Sequence, residues 1–189
     1  MNLGWVYCEV EQLDKAIEHL QKALSLKKGN EKFSIEKATC FNNLATAYRK
    51  SKKKNEAVQN IELALKFFGT DTSPEMRKNL AQVYKNKADC FYDFGNAQEA
   101  LSFYQLALET EKARFGELSK FCFDIYEKIG KHYQDDRYFA EAKKYFEKSL
   151  FISRYIFGLF HPNTLATQSK LELLNSSLDA GKTLPQVCE

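Results

Sequence analysis

Two apolar runs with helical period, joined by a short polar turn, recur four times along the chain. Asn42–Lys66 (NNLATAYRKSKKKNEAVQNIELALK) shows the unit: Leu44, Ala45 and Tyr48, a basic turn, then Ala57, Ile61 and Ala64. Spacings of three and four put each set on one face of a helix. Residues 2–24 repeat the pattern with Tyr7, Ala16, Leu20 and Ala23, residues 86–108 with Phe91, Ala100, Tyr104 and Ala107, and residues 128–150 with Tyr133, Ala142, Phe146 and Ser149. The central alanines, 16, 57, 100 and 142, stand 41, 43 and 42 residues apart. Three columns of small residues emerge: Gly4, Ala45, Ala88, Gly130; Ala16, Ala57, Ala100, Ala142; and Ala23, Ala64, Ala107, Ser149. Small side chains let antiparallel helices approach at the short end of the usual range of roughly 8–10 Å.

The pattern predicts nine helices and no strands, at about 1–10, 13–28, 31–51, 54–68, 74–94, 97–114, 117–135, 138–156 and 163–178. Ser73-Pro74-Glu75 has the composition of a helix start, with a capping serine, a proline at the first helical position and an acid near the positive end of the dipole. Phe94-Gly95-Asn96 supplies a tight turn, and Gly29, Gly69, Gly116 and Gly158 fall between hairpins. His161-Pro162-Asn163-Thr164 opens the last helix. Two helices per unit at a period near 42 indicate an all-α fold, a right-handed α-solenoid of antiparallel hairpins. One array is expected over 1–178, with repeats at about 2–29, 36–70, 79–115 and 121–158, a capping helix at 163–178 and a frayed tail at 179–189.

These slots resemble the tetratricopeptide repeat, whose L-G/A-x-x-Y, A, F/Y/L and A positions have this spacing. The unit near 42 residues, NNLATAY at 42–48 and FGLFHPNTLAT at 157–167 are similar to the kinesin-light-chain subtype, in which a Gly-x-x-His-Pro segment links hairpins. The resemblance implies a non-enzymatic scaffold or adaptor that binds a peptide or helix of a partner protein in a groove lined by the first helix of each hairpin. It also implies that an Asn one residue after Asn42 can hydrogen-bond an extended peptide backbone, since an amide offers donors and acceptors together. That slot holds Asn2, Asn43, Asn86 and Lys128, so Lys128 interrupts the row. An Asn on a helix surface can equally be solvated.

Helical offsets of three to four residues add further groove candidates: Thr39, Asn42, Thr46, Arg49 and Lys50 in the second repeat, Gln82, Lys85, Asp89 and Tyr92 in the third, and Asp124, Glu127 and Lys131 in the fourth. The lining is mixed in charge. Asp124 and Trp5 stand where the family's carboxylate clamp would need Lys and Asn, so that clamp is not expected.

Composition changes the picture little. The chain has 189 residues, 44% apolar and 28% charged, with eight Gly and three Pro, enough for a core and too few turn residues for an all-β fold. Residues 1–90 carry 16 Lys/Arg against 11 Asp/Glu, and the remainder 12 against 14. The basic half and the run Arg49–Lys54 admit an alternative reading, binding of nucleic acid or an acidic surface. No aromatics interleave the run, so base stacking is not suggested and nucleic acid is disfavoured. The five cysteines, at 8, 40, 90, 122 and 188, are too widely spaced for a metal knuckle and are expected to be reduced thiols packed as small hydrophobes in a cytoplasmic protein. No membrane span is expected. His19, His132 and His161 form no metal-ligand pair, no nucleophile or phosphate-loop motif occurs, and neither enzyme activity, cofactor nor metal is expected. Asp89–Asp93 and Asp135–Asp136 are expected to be solvated acids at hairpin turns. Met1 falls inside the first helix, so either a regulatory fragment of a larger signalling protein or self-association through an uncapped N-terminal end is also expected.

Overall fold

The computed structural model describes Tyr7 and residues 12–26, 34–68 and 74–182; at 34, 74–78 and 179–182 it describes the backbone alone. Among the described residues there are eight long helices and no strand: α1 (Leu13–Leu26), α2 (Ser34–Lys50), α3 (Lys54–Phe68), α4 (Pro74–Asp93), α5 (Ala97–Phe115), α6 (Lys120–Asp135), α7 (Phe139–Ile156) and α8 (Pro162–Lys182). Of the helix expected at 1–10, only Tyr7 is described, and it is helical. Asn2, Gly4, Trp5, Cys8, Gly29, Gly69 and Cys188 lie outside the described residues.

Two helix ends differ from expectation. α6 begins at Lys120 rather than near residue 117, because Ser119 takes extended backbone angles (φ −126°, ψ 152°) and its Oγ accepts from the Cys122 N–H, which is N-capping geometry. α8 runs through Gly181 to Lys182, where a frayed tail was expected from residue 179. One glycine costs only about 1 kcal/mol in a helix, and the stronger stop, Pro185, disfavours helix at the residue before it.

The turns inside the hairpins repeat bond for bond. Lys53 N–H donates to Tyr48 O, Asn96 N–H to Phe91 O and Tyr138 N–H to Tyr133 O, at 2.9, 2.8 and 2.8 Å. One residue earlier, Lys52, Gly95 and Arg137 donate to Arg49, Tyr92 and Gln134 at 2.9, 3.1 and 3.1 Å. These paired bonds form the Schellman closure of a helix end, which needs a left-handed residue. Lys52, Gly95 and Arg137 supply it at φ 60°, 85° and 64°. Gln12 N–H donates to Tyr7 O at 3.0 Å in the same register in the first hairpin.

The small-residue columns lie where the helices cross. Ala16, Ala45, Ala57, Ala64, Ala88, Ala107, Ala142 and Ser149 are fully buried. Ala23 is half-buried. Gly130 is the extreme case: a Cβ there would stand 2.9 Å from the ring of Phe146. The aromatic slot is half-buried rather than core. It lies beside the turn of the hairpin and stacks on the residue three after the central alanine: Tyr7 on His19, Phe91 on Phe103 and Tyr133 on Tyr145, with centroids 5.1, 5.5 and 5.5 Å apart.

The chain divides into two compact units, Met1–Thr110 and Glu111–Glu189, with the boundary inside α5. In the first, Ala38, Ala45, Ile61, Phe68, Val83 and Cys90 form one core drawn from α2, α3 and α4. In the second, Ala142, Phe146 and Leu150 of α7 pack with Leu171 and Leu174 of α8. There Gly158 takes φ 90°. Leu165 N–H donates to His161 O at 3.0 Å and Asn163 N–H to His161 Nδ1 at 3.2 Å, so the Gly-x-x-His-Pro segment turns the chain and caps α8.

Candidate functional site

Eight of the ten leading groove candidates line one cleft of the first unit. Asn42, Asn43, Thr46 and Arg49 come from α2; Gln82, Lys85, Asn86 and Asp89 come from α4. Thr39, Lys50 and Asn79 complete its polar wall, and the volume is about 440 Å³. The residues converge because each helix offers one stripe at spacings of three and four, and the two stripes face each other across the gap. Lys128 and Lys131, the other two candidates, lie on α6 in the second unit.

The wall is built more tightly than a row of solvated amides. Asn42, Asn43 and Asn86 are 6%, 9% and 8% exposed. The Asn86 amide donates to Asn42 Oδ1 at 2.9 Å and to Thr46 Oγ1 at 3.1 Å, while its own Oδ1 accepts from Gln82 Nε2 at 3.0 Å. Both donors of Asn86 are therefore spent within the protein, and this residue joins α2 to α4. The network engages Asn42 through its carbonyl oxygen and not its NH2 group. Buried amides are satisfied in this way, and the resulting wall is stiff.

At one end of the cleft the polar groups are charged. Asp89 is 4% exposed, so the expectation of a solvated acid does not hold there. It sits a full turn before the helix end, facing α5, where the Tyr104 hydroxyl donates to its Oδ1 at 2.6 Å and Lys85 Nζ lies 3.3 Å from its Oδ2. Asp93, at the turn, is more exposed and receives the Arg49 guanidinium. Burial draws the Arg49 pKa down, but Asp89 and Asp93 outweigh it and hold the group above its ordinary value. Burial pushes the neighbouring Cys90 thiol up to about 12, against the pull of Arg49. The Tyr104 phenol is also pushed up, first by burial and then by Asp89. The raised values keep the Cys90 thiol and the Tyr104 phenol uncharged and Arg49 cationic. Cys40, Cys90 and Cys122 are buried in the packing and not joined in disulfides.

Sequence reading missed Tyr104 as a polar participant. Its slot holds Leu20, Ile61 and Phe146 in the other hairpins, and only a tyrosine brings a hydroxyl there. It also missed a second network. In the second unit, Glu127 of α6 accepts from Ser149 of α7 at 2.6 Å, from Thr167 of α8 at 2.8 Å and from Lys170. Ser149 is the one hydroxyl in the small-residue columns, and this bond accounts for it.

The basic run Arg49–Lys54 is also engaged. Arg49 pairs with Asp93, while Lys53 and Lys54 lie over the rings of Tyr48 and Phe94 at 5.9 and 5.7 Å. Among the described residues no cluster of His, Cys, Asp or Glu could hold a metal ion, and no helix is long and apolar enough to cross a membrane.

Residues 1–68 match the tetratricopeptide repeat family model. No curated protein matches the sequence. Among solved structures, BtubC (BKLC) from P. vanneervenii is similar at 19% identity and TM-score 0.72, over 89% of this chain and 66% of that one. The chain thus spans just under two thirds of that relative. The kinesin light chain nearly identical TPR-like repeats of Podosopora anserina are similar at 19% identity and TM-score 0.74, over 94% of this chain and 84% of that one. A variant of the same protein gives 18% identity over the same shares. At such identities the likeness establishes the fold.

Proposed function

We propose, from the premise that the chain has the tetratricopeptide-repeat fold of the kinesin-light-chain type, that it is a non-enzymatic interaction scaffold that binds a segment of a partner protein in the α2–α4 cleft. The repeat fold supports the coarser statement, protein–protein interaction. One observation carries the finer one: eight polar groove candidates line a single cleft whose amides are fixed by each other. A wall ordered before binding loses little side-chain entropy when a ligand arrives. Arg49 and Lys85 set beside Asp89 favour a ligand of mixed polarity. Asn43 lines the same cleft, and backbone recognition is assigned to its amide, the position at which the kinesin-light-chain resemblance places that role. The reading of the basic half as a nucleic-acid surface gains less support, because Arg49, Lys53 and Lys54 are engaged within the protein.

A photoreactive side chain at Thr39 or Gln82 should capture the partner, and the same group at Glu62 or Glu109 should not. Asn43→Leu should abolish the capture while far-UV circular dichroism shows the helical fold retained. Equal capture from all four positions, or capture unchanged by Asn43→Leu, would overturn the assignment of the cleft.

A further inference from the structure

A second cleft lies wholly within the second unit. Lys112 at the end of α5, Glu117 and Leu118 in the connection to α6, and Lys144, Tyr145, Glu147, Lys148, Phe151 and Ile152 of α7 enclose about 830 Å³. Its apolar side is open: Phe151 is 66% and Leu118 41% exposed, and Tyr155, one turn beyond Phe151 on the same face of α7, is 70% exposed.

The repeat does not require these aromatics. At the slot of Phe151, α5 carries Glu109 and α3 carries Lys66, and at the slot of Tyr155, α5 carries Ala113. These two slots are thus polar or small where the other second helices are compared. A large apolar strip that packing does not use is the usual mark of an interaction surface.

The charges around the strip have a sign. Lys112 Nζ binds Glu117 at 2.7 Å, and Tyr126 also donates to Glu117. The bonds from Lys112 and Tyr126 hold the Glu117 carboxyl below its ordinary pKa. Its negative charge is thus matched from inside the protein. Glu147 faces Lys143 at 3.9 Å. Lys148 stands over the rings of Tyr126 and Tyr145 at 5.4 and 5.6 Å, fixed at the rim by cation–π attraction. With both acids paired, Lys144 and Lys148 leave the rim positive beside an apolar floor.

We infer that this cleft is a second docking site, separate from the α2–α4 cleft, for a short acidic segment of a partner protein that carries an aromatic or large aliphatic anchor. The anchor packs between Leu118, Tyr145 and Phe151. Carboxylates on either side of it meet Lys144 and Lys148. A basic segment is repelled by the same rim, so the charge supplies selectivity and the anchor supplies affinity.

The test is a backbone-amide NMR titration of the full chain with capped ten-residue peptides, each holding one Phe or Leu flanked by Asp and Glu, and with a matched set in which Lys replaces the acids. The acidic set should shift the amides of Leu118, Tyr145, Lys148 and Phe151, and the basic set should not. Lys148→Glu and Phe151→Ser alter exposed side chains and should each weaken binding about ten-fold, the equivalent of roughly 1.4 kcal/mol. Circular dichroism of both variants should match that of the parent chain. Shifts confined to Asn42–Asp89 would support the first cleft and overturn this one. The proposal is also overturned by equal binding of the basic set, by concentration-dependent dimerisation that Phe151→Ser abolishes, or by binding to anionic vesicles with no response to peptide.

Discussion

Replacing Gly130 by alanine sets two opposed terms against each other at one atom. Gly130 lies inside α6, where alanine is worth about 1 kcal/mol more than glycine to the helix. The new methyl would stand 2.9, 3.0 and 3.1 Å from three ring carbons of Phe146. That ring has no exposed surface and is held by Ala142, Leu150, Leu171 and Leu174, with Tyr133 and Phe139 behind. It cannot retreat without moving α7 or its neighbours, and overpacking of this kind costs about 1–3 kcal/mol. The steric term wins, and Gly130→Ala should destabilise the protein by about 1 kcal/mol net, the overpacking cost less the propensity gain. The decisive assay is a double-mutant cycle followed by urea unfolding at 222 nm. Phe146→Leu alone should be destabilising, since it empties part of the core. In that background the methyl has room, and Gly130→Ala should become stabilising by up to about 1 kcal/mol. The reasoning fails if Gly130→Ala stabilises the parent chain by the full propensity term, or if its effect is the same in both backgrounds. Either result would mean that helix approach at this slot is not limited by the missing Cβ.

The left-handed turn residues give a prediction with two signs: Lys52→Gly and Arg137→Gly should each stabilise by about 0.5 kcal/mol, and Gly95→Ala should destabilise by about 1 kcal/mol, measured as shifts in urea midpoint. Ser149→Ala, although it restores the commoner residue of its column, removes a donor from Glu127 and should cost about 1 kcal/mol by the same measurement; a gain in stability would show that the bond contributes nothing. Cys90 has an ordinary value of 9.0 and is pushed up to about 12 by burial in the folded chain, so the unfolded chain releases this proton first. The contribution is fully present below pH 9 and is lost as pH rises toward 12; stability should fall over that window, the Cys90→Ala variant should fall less steeply, and the thiol should resist modification at pH 8 until the protein unfolds.

The repeat was legible because its columns demand the same kind of residue each time. Where helices cross closely, only Gly, Ala or Ser fits, so the requirement appears in the sequence as identity at spacings of 41, 43 and 42. The turn was legible in part. Gly95 announced its left-handed residue, whereas Lys52 and Arg137 adopt the same geometry because two paired backbone bonds per turn outweigh the steric cost at φ near 60°. The stacked pairs carried a signal too, an aromatic ring three residues after Ala16, Ala100 and Ala142. The second hairpin hides it with Asn60 at that position.

The polar networks were not legible by the same comparison, for a physical reason. Contacts between first helices of successive hairpins join residues about one repeat apart: Asn42 with Asn86, Arg49 with Asp93 and Glu127 with Lys170. An ion pair joins unlike groups, so residues that pair across successive repeats complement each other rather than match. The column through Asn42, Lys85, Glu127 and Lys170 therefore looks unpatterned when searched for identity, although Glu127 and Lys170, two successive members, are an ion pair. Burial deepens the concealment. Asp89 reads as a solvated acid near a turn until Tyr104, at a slot that is apolar in every other hairpin, is seen to offer its hydroxyl. A partner for a buried charge comes from another helix, so no local pattern predicts it. Once those pairs are assigned, exposed aromatics that neither identity nor complementarity explains stand out among the described residues, Phe151 and Tyr155 among them.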